Sequence, residues 1–237
     1  MTLGRFTIHL TAALAFLGVP ALPQTPATPE STTQAHTNDI GYSYRLPADW
    51  EFVEQQPKPA PPAQPQSSSK LLKLQELPDS RNGASCAQVA LTARHGHPSS
   101  AIVAVMLPFD CYGQTMADTD LPGFGDGAAE GLKQTFDIAA STTSTYILDG
   151  HTIWIERATG MAKGQQNAPV STLEIACAIL KKGAVCWMVV AIDDAALKTF
   201  ESAPVTLDDG AANPLVPPEA AAKLVNAAAQ KPITQGR

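Results

Sequence analysis

The chain has 237 residues, 44% of them hydrophobic, with 16 Lys and Arg against 22 Asp and Glu. A net charge of −6 is a poor match for the phosphate backbone of nucleic acids, so we do not expect nucleic acid as a partner. The length suits one domain with an ordinary core plus unstructured segments. Beyond the first residues, no apolar run approaches the ~20 residues of a membrane span.

The N-terminal segment has the pattern of a secretory signal peptide. Arg5 precedes a mainly apolar stretch, Phe6 to Val19, which is shorter than a membrane span. Small residues at Val19 and Ala21 favour cleavage after Ala21, with Ala27 as the second choice and an uncleaved anchor as the alternative. We therefore expect residues 1–21 to be removed and the protein to be exported, to the periplasm or the extracellular space.

Three segments rich in Pro and in small or polar residues lack the large apolar side chains that folding requires. Residues 22–38 predict a disordered leader, and residues 55–69, with five prolines, predict an extended loop inside the domain. Residues 205–237 form a C-terminal tail with a possible short helix over 219–230 and too few apolar residues to require docking. Residues 39–204 are expected to form a single domain.

The first elements of this domain are strands. Tyr42 and Tyr44 alternate with smaller or polar neighbours, which predicts a strand before the turn at residues 47–50. Two β-rich runs, residues 87–94 and 100–107, are joined by a turn that contains Gly and Pro. They predict a hairpin.

A helix is predicted after this hairpin. Pro122 suits the first turn of a helix, and the apolar residues around it recur at helical spacing. These residues are Leu121, Phe124, Ala128, Leu132 and Phe136. Glycines within the segment weaken the helix by up to ~1 kcal/mol each, so it must be stabilised by packing.

Two further hairpins follow the helix. Asp149-Gly150 is a typical two-residue hairpin turn. The next hairpin joins residues 171–180 to residues 184–192, and both of its faces are apolar, so it needs a cover on each side. A short helix capped by Asp193 or Asp194 follows. We therefore predict an α+β fold in which an antiparallel sheet of hairpins is flanked by helices.

The four cysteines predict two disulfide-stapled hairpins. Cys86 and Cys111 are placed symmetrically about one turn, and Cys177 and Cys186 about another, so each pair would be directly opposed in ideal register. Closing loops of 26 and 10 residues would stabilise the fold by roughly 3.5 and 2.7 kcal/mol. Four cysteines allow three pairings, and buried free thiols are the alternative. Neither pair has the Cys-x-x-Cys spacing of redox enzymes, which favours structural disulfides.

The first pair depends more strongly on strand register than the second. Cys177 and Cys186 share the strand parity of core residues, whereas Cys86 has the opposite parity from Val89 and Leu91. A β-bulge between them would alter which residues oppose each other.

Few side chains suggest chemistry. His95 and His97 could ligate a metal, but without a nearby third ligand such histidines are more often exposed loop residues. His151 could pair with a carboxylate, and the Pro-rich loop could cover Trp50 as a lid, although strand aromatics are more often core. We predict no catalytic, cofactor-binding or metal-binding residues, and keep these four side chains as candidates for a ligand site.

Residues 41–50 carry a Gly-Tyr-x-x-x-x-Pro-x-x-Trp pattern that starts with Gly41 and ends with Trp50. With its hairpins, mid-chain helix, final strand pair and short helix containing Phe200, the chain resembles the PsbP/Mog1-like domains, including exported bacterial members, over residues 39–204. The Pro-rich insertion and the cysteine pairs depart from that family. The resemblance implies an α/β/α sandwich and an accessory or binding role, with no catalytic residues to transfer.

These observations favour an exported, non-catalytic module that binds a protein or another component of the cell envelope. An envelope hydrolase is the second possibility, and a deep pocket that brings His151, or His95 and His97, next to acids would be its sign. A surface spacer whose Pro-rich segments contact the cell wall is the third.

Overall fold

The computed structural model describes residues 34–53, 86–96, 99–164 and 168–229. The predicted signal peptide, the Pro-rich loop at residues 55–69 and His97 lie outside these ranges. Within them the fold is α+β, as predicted, but it has two antiparallel sheets where the sequence suggested one.

The smaller sheet joins strands from the two ends of the described chain. Its strands are β1 (Gln34–Asn38), β2 (Tyr42–Leu46), β10 (Pro204–Leu207) and β11 (Asn213–Pro214). Their order is β1-β2-β10-β11.

The larger sheet contains the predicted hairpins. Its strands are β3 (Glu51–Phe52), β4 (Gln88–His95), β5 (Ser100–Pro108), β6 (Phe136–Leu148), β7 (His151–Ala162), β8 (Ser171–Ile179) and β9 (Gly183–Ala191). Their order is β3-β4-β5-β9-β8-β7-β6, so β8 and β9 lie inside the sheet. Asp149 and Gly150 have φ angles of 48° and 81°, as the predicted two-residue turn requires.

The helices lie between the strands and after the last one. They are α1 (Phe109–Tyr112), α2 (Leu121–Thr135), α3 (Asp194–Ser202) and α4 (Pro218–Ala229), with a 3₁₀ turn at Asp118–Asp120. The predicted mid-chain helix is α2, but Phe136 is the first residue of β6 rather than part of the helix. Asp193 caps α3, since its carboxylate accepts a hydrogen bond from the Ala196 amide at 2.7 Å.

The large sheet is covered on both faces, as the apolar β8–β9 hairpin requires. On one face α2 packs over the sheet, in a cluster that includes Leu121, Phe124, Leu132, Ile175, Cys177 and Met188. On the other face the small sheet, α3 and α4 contribute to a second cluster, which includes Tyr44, Ala176, Trp187, Phe200 and Leu224.

Two predictions about the ends of the domain are wrong. The last five residues of the predicted disordered leader form β1, which pairs antiparallel with β2. The tail that was not expected to dock buries Leu215, Val216, Ala220 and Leu224. The Tyr146 hydroxyl also donates to the Leu215 carbonyl at 2.5 Å, so the tail completes the cover of the large sheet.

Both predicted disulfides are present. Cys86 bonds to Cys111, and Cys177 bonds to Cys186, its direct partner across β8 and β9. A bulge in β4 places Val89 and Leu91 in different clusters, and Cys86 lies in the same cluster as Val89. Disulfides favour an oxidising compartment, consistent with export. In the part of the chain that the structure covers, no helix is long and apolar enough to cross a membrane.

Packing of α2 against the sheet can be tested with two glycines of that helix. A methyl group at Gly125 would overlap the ring of buried Trp154, whereas one at Gly123 would meet no atom within 4 Å. We expect Gly125→Ala to lower the free energy of unfolding by about 1–3 kcal/mol, because neither the helix backbone nor the ring can move freely. The control Gly123→Ala should raise it by up to ~1 kcal/mol, since Ala is the better helix former. Equal effects in urea denaturation would contradict this packing.

Candidate functional site

An open groove lies where an edge of the large sheet faces β1, the edge strand of the small sheet. Its volume is about 480 Å³, which is within the ~300–1,000 Å³ range of ligand pockets. It is lined by His36 of β1, by Phe52 and Val53 at the end of β3, and by residues 89–92 of β4. We call this cavity the edge groove.

One wall of the edge groove is the outer side of β4. Strand β3 pairs with β4 only at Arg94 and Ala93, and the Val53 amide adds a hydrogen bond to the Thr92 carbonyl at 2.7 Å. From Gln88 to Leu91, no strand of the described residues pairs with this side of β4. Backbone groups at such an edge can pair with another extended chain.

Trp50 and His95 lie near the edge groove but do not line it. The Trp50 ring is 1% exposed and stacks on the His95 ring, with the centroids 5.4 Å apart. His95 Nδ1 is 3.0 Å from the carbonyl oxygen of Asp49. This contact fixes the turn between β2 and β3, and Trp50 acts as a core residue.

His151 lies elsewhere in the fold, at the start of β7. Its Nδ1 is 3.1 Å from the Ile179 carbonyl oxygen, and its Nε2 is 3.4 Å from Oδ2 of Asp208. The ring thus connects three chain segments, and it does pair with a carboxylate. Among the residues that the structure covers, no group of three or more His, Cys, Asp or Glu side chains could hold a metal ion.

A buried ion cluster lies between the large sheet and its second cover. Arg157 of β7 donates from Nε to Glu174 of β8 at 2.5 Å and from Nη2 to Glu201 of α3. Burial raises the pKa of Glu174 from 4.5 to about 7, although the charge and hydrogen bonds of Arg157 oppose the shift. Burial also raises the pKa of Glu201. One guanidinium therefore pairs with two carboxylates. Because the pKa of Glu174 is about 7, Glu174 is the group of the cluster that binds a proton near neutral pH.

A row of aromatic rings connects the edge groove to this ion cluster. The His36 ring is 6.0 Å from the Tyr42 ring, which lies 5.3 Å from the Trp187 ring. Tyr44 lies on the far side, 6.3 Å from Trp187, and burial followed by the charge of Glu174 raises its pKa.

Several polar atoms in this aromatic row and in the adjoining ion cluster are buried and have no hydrogen-bond partner in the described structure. They are His36 Nε2, Tyr42 Oη, Tyr44 Oη, Trp187 Nε1 and Glu174 Oε1. Such atoms destabilise a core by about 1–3 kcal/mol each. The layer behind the edge groove is therefore less optimised for stability than the layer under α2.

None of these groove and cluster residues was a sequence candidate. Glu174 carried one signal, because it is the only charged residue in strand β8 and lies between apolar neighbours. His36 carried none, since its segment has the composition of the leader that precedes it.

A comparison with protein-family models gives no match, and a comparison with curated proteins gives none. The edge groove is therefore interpreted from its own residues.

The ion cluster predicts a specific pH dependence of stability. Folded Glu174 keeps its proton to a higher pH than unfolded Glu174. The contribution of this proton to the free energy of unfolding is therefore full below pH 4.5 and is lost as pH rises towards 7. Because Glu174→Gln removes this titration, the free energy of unfolding of the variant, relative to that of the wild type, should rise by on the order of 3 kcal/mol from pH 4.5 to 8.

Urea denaturation at several pH values measures this difference. The control Glu51→Gln removes a carboxylate from an exposed ion pair with Arg94, which is worth at most ~1 kcal/mol. Its difference from the wild type should change little over the same range. If the Glu174→Gln difference were equally constant, the assigned pKa of Glu174 would be wrong.

Proposed function

We propose that this chain is an exported, non-catalytic binding module of the cell envelope, and that the edge groove binds an extended segment of a partner protein. The single observation that supports this role most is the edge groove itself, where apolar side chains and a strand edge without a partner strand among the described residues line one cavity. The two disulfides support the exported location, because they persist in oxidising compartments.

An extended polypeptide fits this groove better than a small charged ligand. The outer side of β4 offers backbone donors and acceptors to a strand, which is the mode of recognition known as β-augmentation. Phe52, Val53, Val89 and Leu91 offer apolar contacts to alternate side chains of that strand. Such a surface gives affinity through main-chain hydrogen bonds and specificity through the pockets between side chains.

We also propose that the domain is a variant of the PsbP/Mog1-like α/β/α sandwich. The large antiparallel sheet with α2 on one face and α3 on the other supports this assignment. The small sheet and the Pro-rich insertion are then additions to that architecture. An accessory or binding role is what this resemblance implies.

An envelope hydrolase is the second candidate, because His151 and Asp208 form a histidine–carboxylate pair. Such a pair orients a general base in many hydrolases. Asp208 is nearly buried, and His151 also bridges to the Ile179 carbonyl, which equally suits a structural role. Hydrolysis of model esters or peptides that is lost in His151→Ala, with the unfolding transition retained, would favour the enzyme.

Two valine variants test the binding proposal. Val53 lies in the edge groove and belongs to neither core cluster, so Val53→Arg places a bulky charge there without disturbing the core. The control Val170→Arg makes the same change at a site that is 64% exposed and is not part of the groove. In a pull-down from cell-envelope extract, we expect Val53→Arg to reduce retention of the specific partner at least tenfold and Val170→Arg to leave it unchanged.

Hydrogen exchange locates the contact independently of the variants. Once a partner is retained, the amides of residues 88–92 should exchange more slowly in the complex than in the free protein. Equal retention by both variants, or protection elsewhere without any change at residues 88–92, would contradict binding in the edge groove.

A further inference from the structure

The two disulfides differ sharply in how accessible they are. Cys177 and Cys186 are 0% and 1% exposed and lie under α2 in the first core cluster. Cys86 is also buried, at 3%, but its partner Cys111 is exposed, near the end of the four-residue helix α1. One residue of the first disulfide is therefore exposed to solution, whereas both residues of the second are buried.

The two bonds also differ in what else holds their strands. Around Cys177 and Cys186 the β8–β9 ladder continues in both directions, so the strands stay paired without the bond. Cys86 lies just before β4, and the bulge separates the first two residue pairs of β4, at Gln88 and Val89, from the rest of its ladder with β5. Besides those two residue pairs, the Cys86–Cys111 bond also holds this end of β4. It links Cys86 covalently to Cys111 in α1, the helix that follows β5.

That end of β4 forms one part of the wall of the edge groove. Val89 and Ala90 line the groove there, and no strand of the described residues pairs with them on the outer side. A bulged end of an edge strand with few backbone partners is a region of low local stability. The Cys86–Cys111 bond is therefore positioned to hold this part of the groove wall in place.

We propose that the Cys86–Cys111 disulfide is a thiol-exchange site, and that its opening by a dithiol releases the first residues of β4, up to the bulge, from the wall of the edge groove. This proposal concerns regulation of the edge groove and rests on the proposed function for its biological meaning. The natural reactant is a dithiol of the Cys-x-x-Cys type, as carried by thiol–disulfide oxidoreductases of oxidising compartments.

The reaction is a two-step exchange. A thiolate of the dithiol attacks Sγ of Cys111 and bonds to it, while the bond to Sγ of Cys86 breaks and Cys86 leaves as a thiolate that takes up a proton. The second thiol, as its thiolate, then attacks the first sulfur of the reagent and releases Cys111, which is protonated in turn. The protein disulfide gains two electrons and two protons, and the dithiol is oxidised to its own disulfide.

Graded reduction of the native full chain with dithiothreitol, followed by alkylation and mass spectrometry, tests the order of opening. We expect Cys86 and Cys111 to be labelled at least tenfold faster than Cys177 and Cys186. In the partly reduced protein, amide exchange at residues 88–90 should rise at least tenfold, while exchange within β8 and β9 stays unchanged. The double variant Cys86→Ala/Cys111→Ala should show the same fast exchange at residues 88–90 without any reductant.

Simultaneous labelling of all four cysteines or labelling in the reverse order overturns the proposal. So does selective opening of Cys86–Cys111 that leaves exchange at residues 88–90 unchanged. Neither readout uses a binding partner. Failure here is thus distinguishable from failure of the proposed function, which the Val53→Arg variant tests.

Discussion

The β8–β9 hairpin imposes the constraint on which the rest of the fold depends. Both of its faces are apolar and both are buried, so the large sheet is stable only with a cover on each side. Helix α2 supplies one cover. The small sheet, α3 and α4 supply the other, and this need explains why chain segments with little apolar content of their own become ordered against the sheet.

The two covers are chemically different, and the proposed binding surface lies beside the more polar of the two. Under α2 the contacts are mainly apolar and include the Cys177–Cys186 bond, and Glu156 is a buried acid of that layer. The second cover contains the Arg157–Glu174–Glu201 cluster and a row of aromatic side chains whose polar atoms lack partners. Breaking such a cluster is costly, but apolar side chains would often stabilise the same site as well, so its presence is weak evidence for a gain in stability. The edge groove opens at the border of this polar layer, where β1 faces β3 and β4.

Features set by local chemistry could be predicted from the sequence. Three of these features depend on residues close together in the chain: the Asp149-Gly150 turn, the periodicity of α2 and the cap of α3. The cysteine pairing follows because the two cysteines of each pair lie at equal distances in sequence from a turn. Strand β1 could not be predicted, because Gln34–Asn38 has no strand pattern and becomes extended through pairing with β2. The tail was misjudged for a related reason. A few apolar side chains such as Leu215 and Leu224 suffice for docking when the sheet already offers an apolar surface.

The candidate site was harder to predict than the fold. The edge groove brings together His36 of β1, Val53 just after β3 and Val89 of β4, which are separated in sequence, and no motif connects them. The single acid of β8, Glu174, marked the polar layer, but its partners Arg157 and Glu201 lie on different elements. The sequence candidates His95 and Trp50 instead support a turn, and His151 bridges three segments away from the groove.

Native-state hydrogen exchange at increasing denaturant concentration most directly tests the central claim that both covers are integral to the fold. We predict that amides of β2, β8, β9 and β10 exchange through one cooperative opening, whose free energy equals that of global unfolding. Exchange of β2 and β10 at a free energy several kcal/mol below that of β8 and β9 would contradict this. It would show that the large sheet remains folded when the small sheet detaches, and that the second cover is an accessory layer.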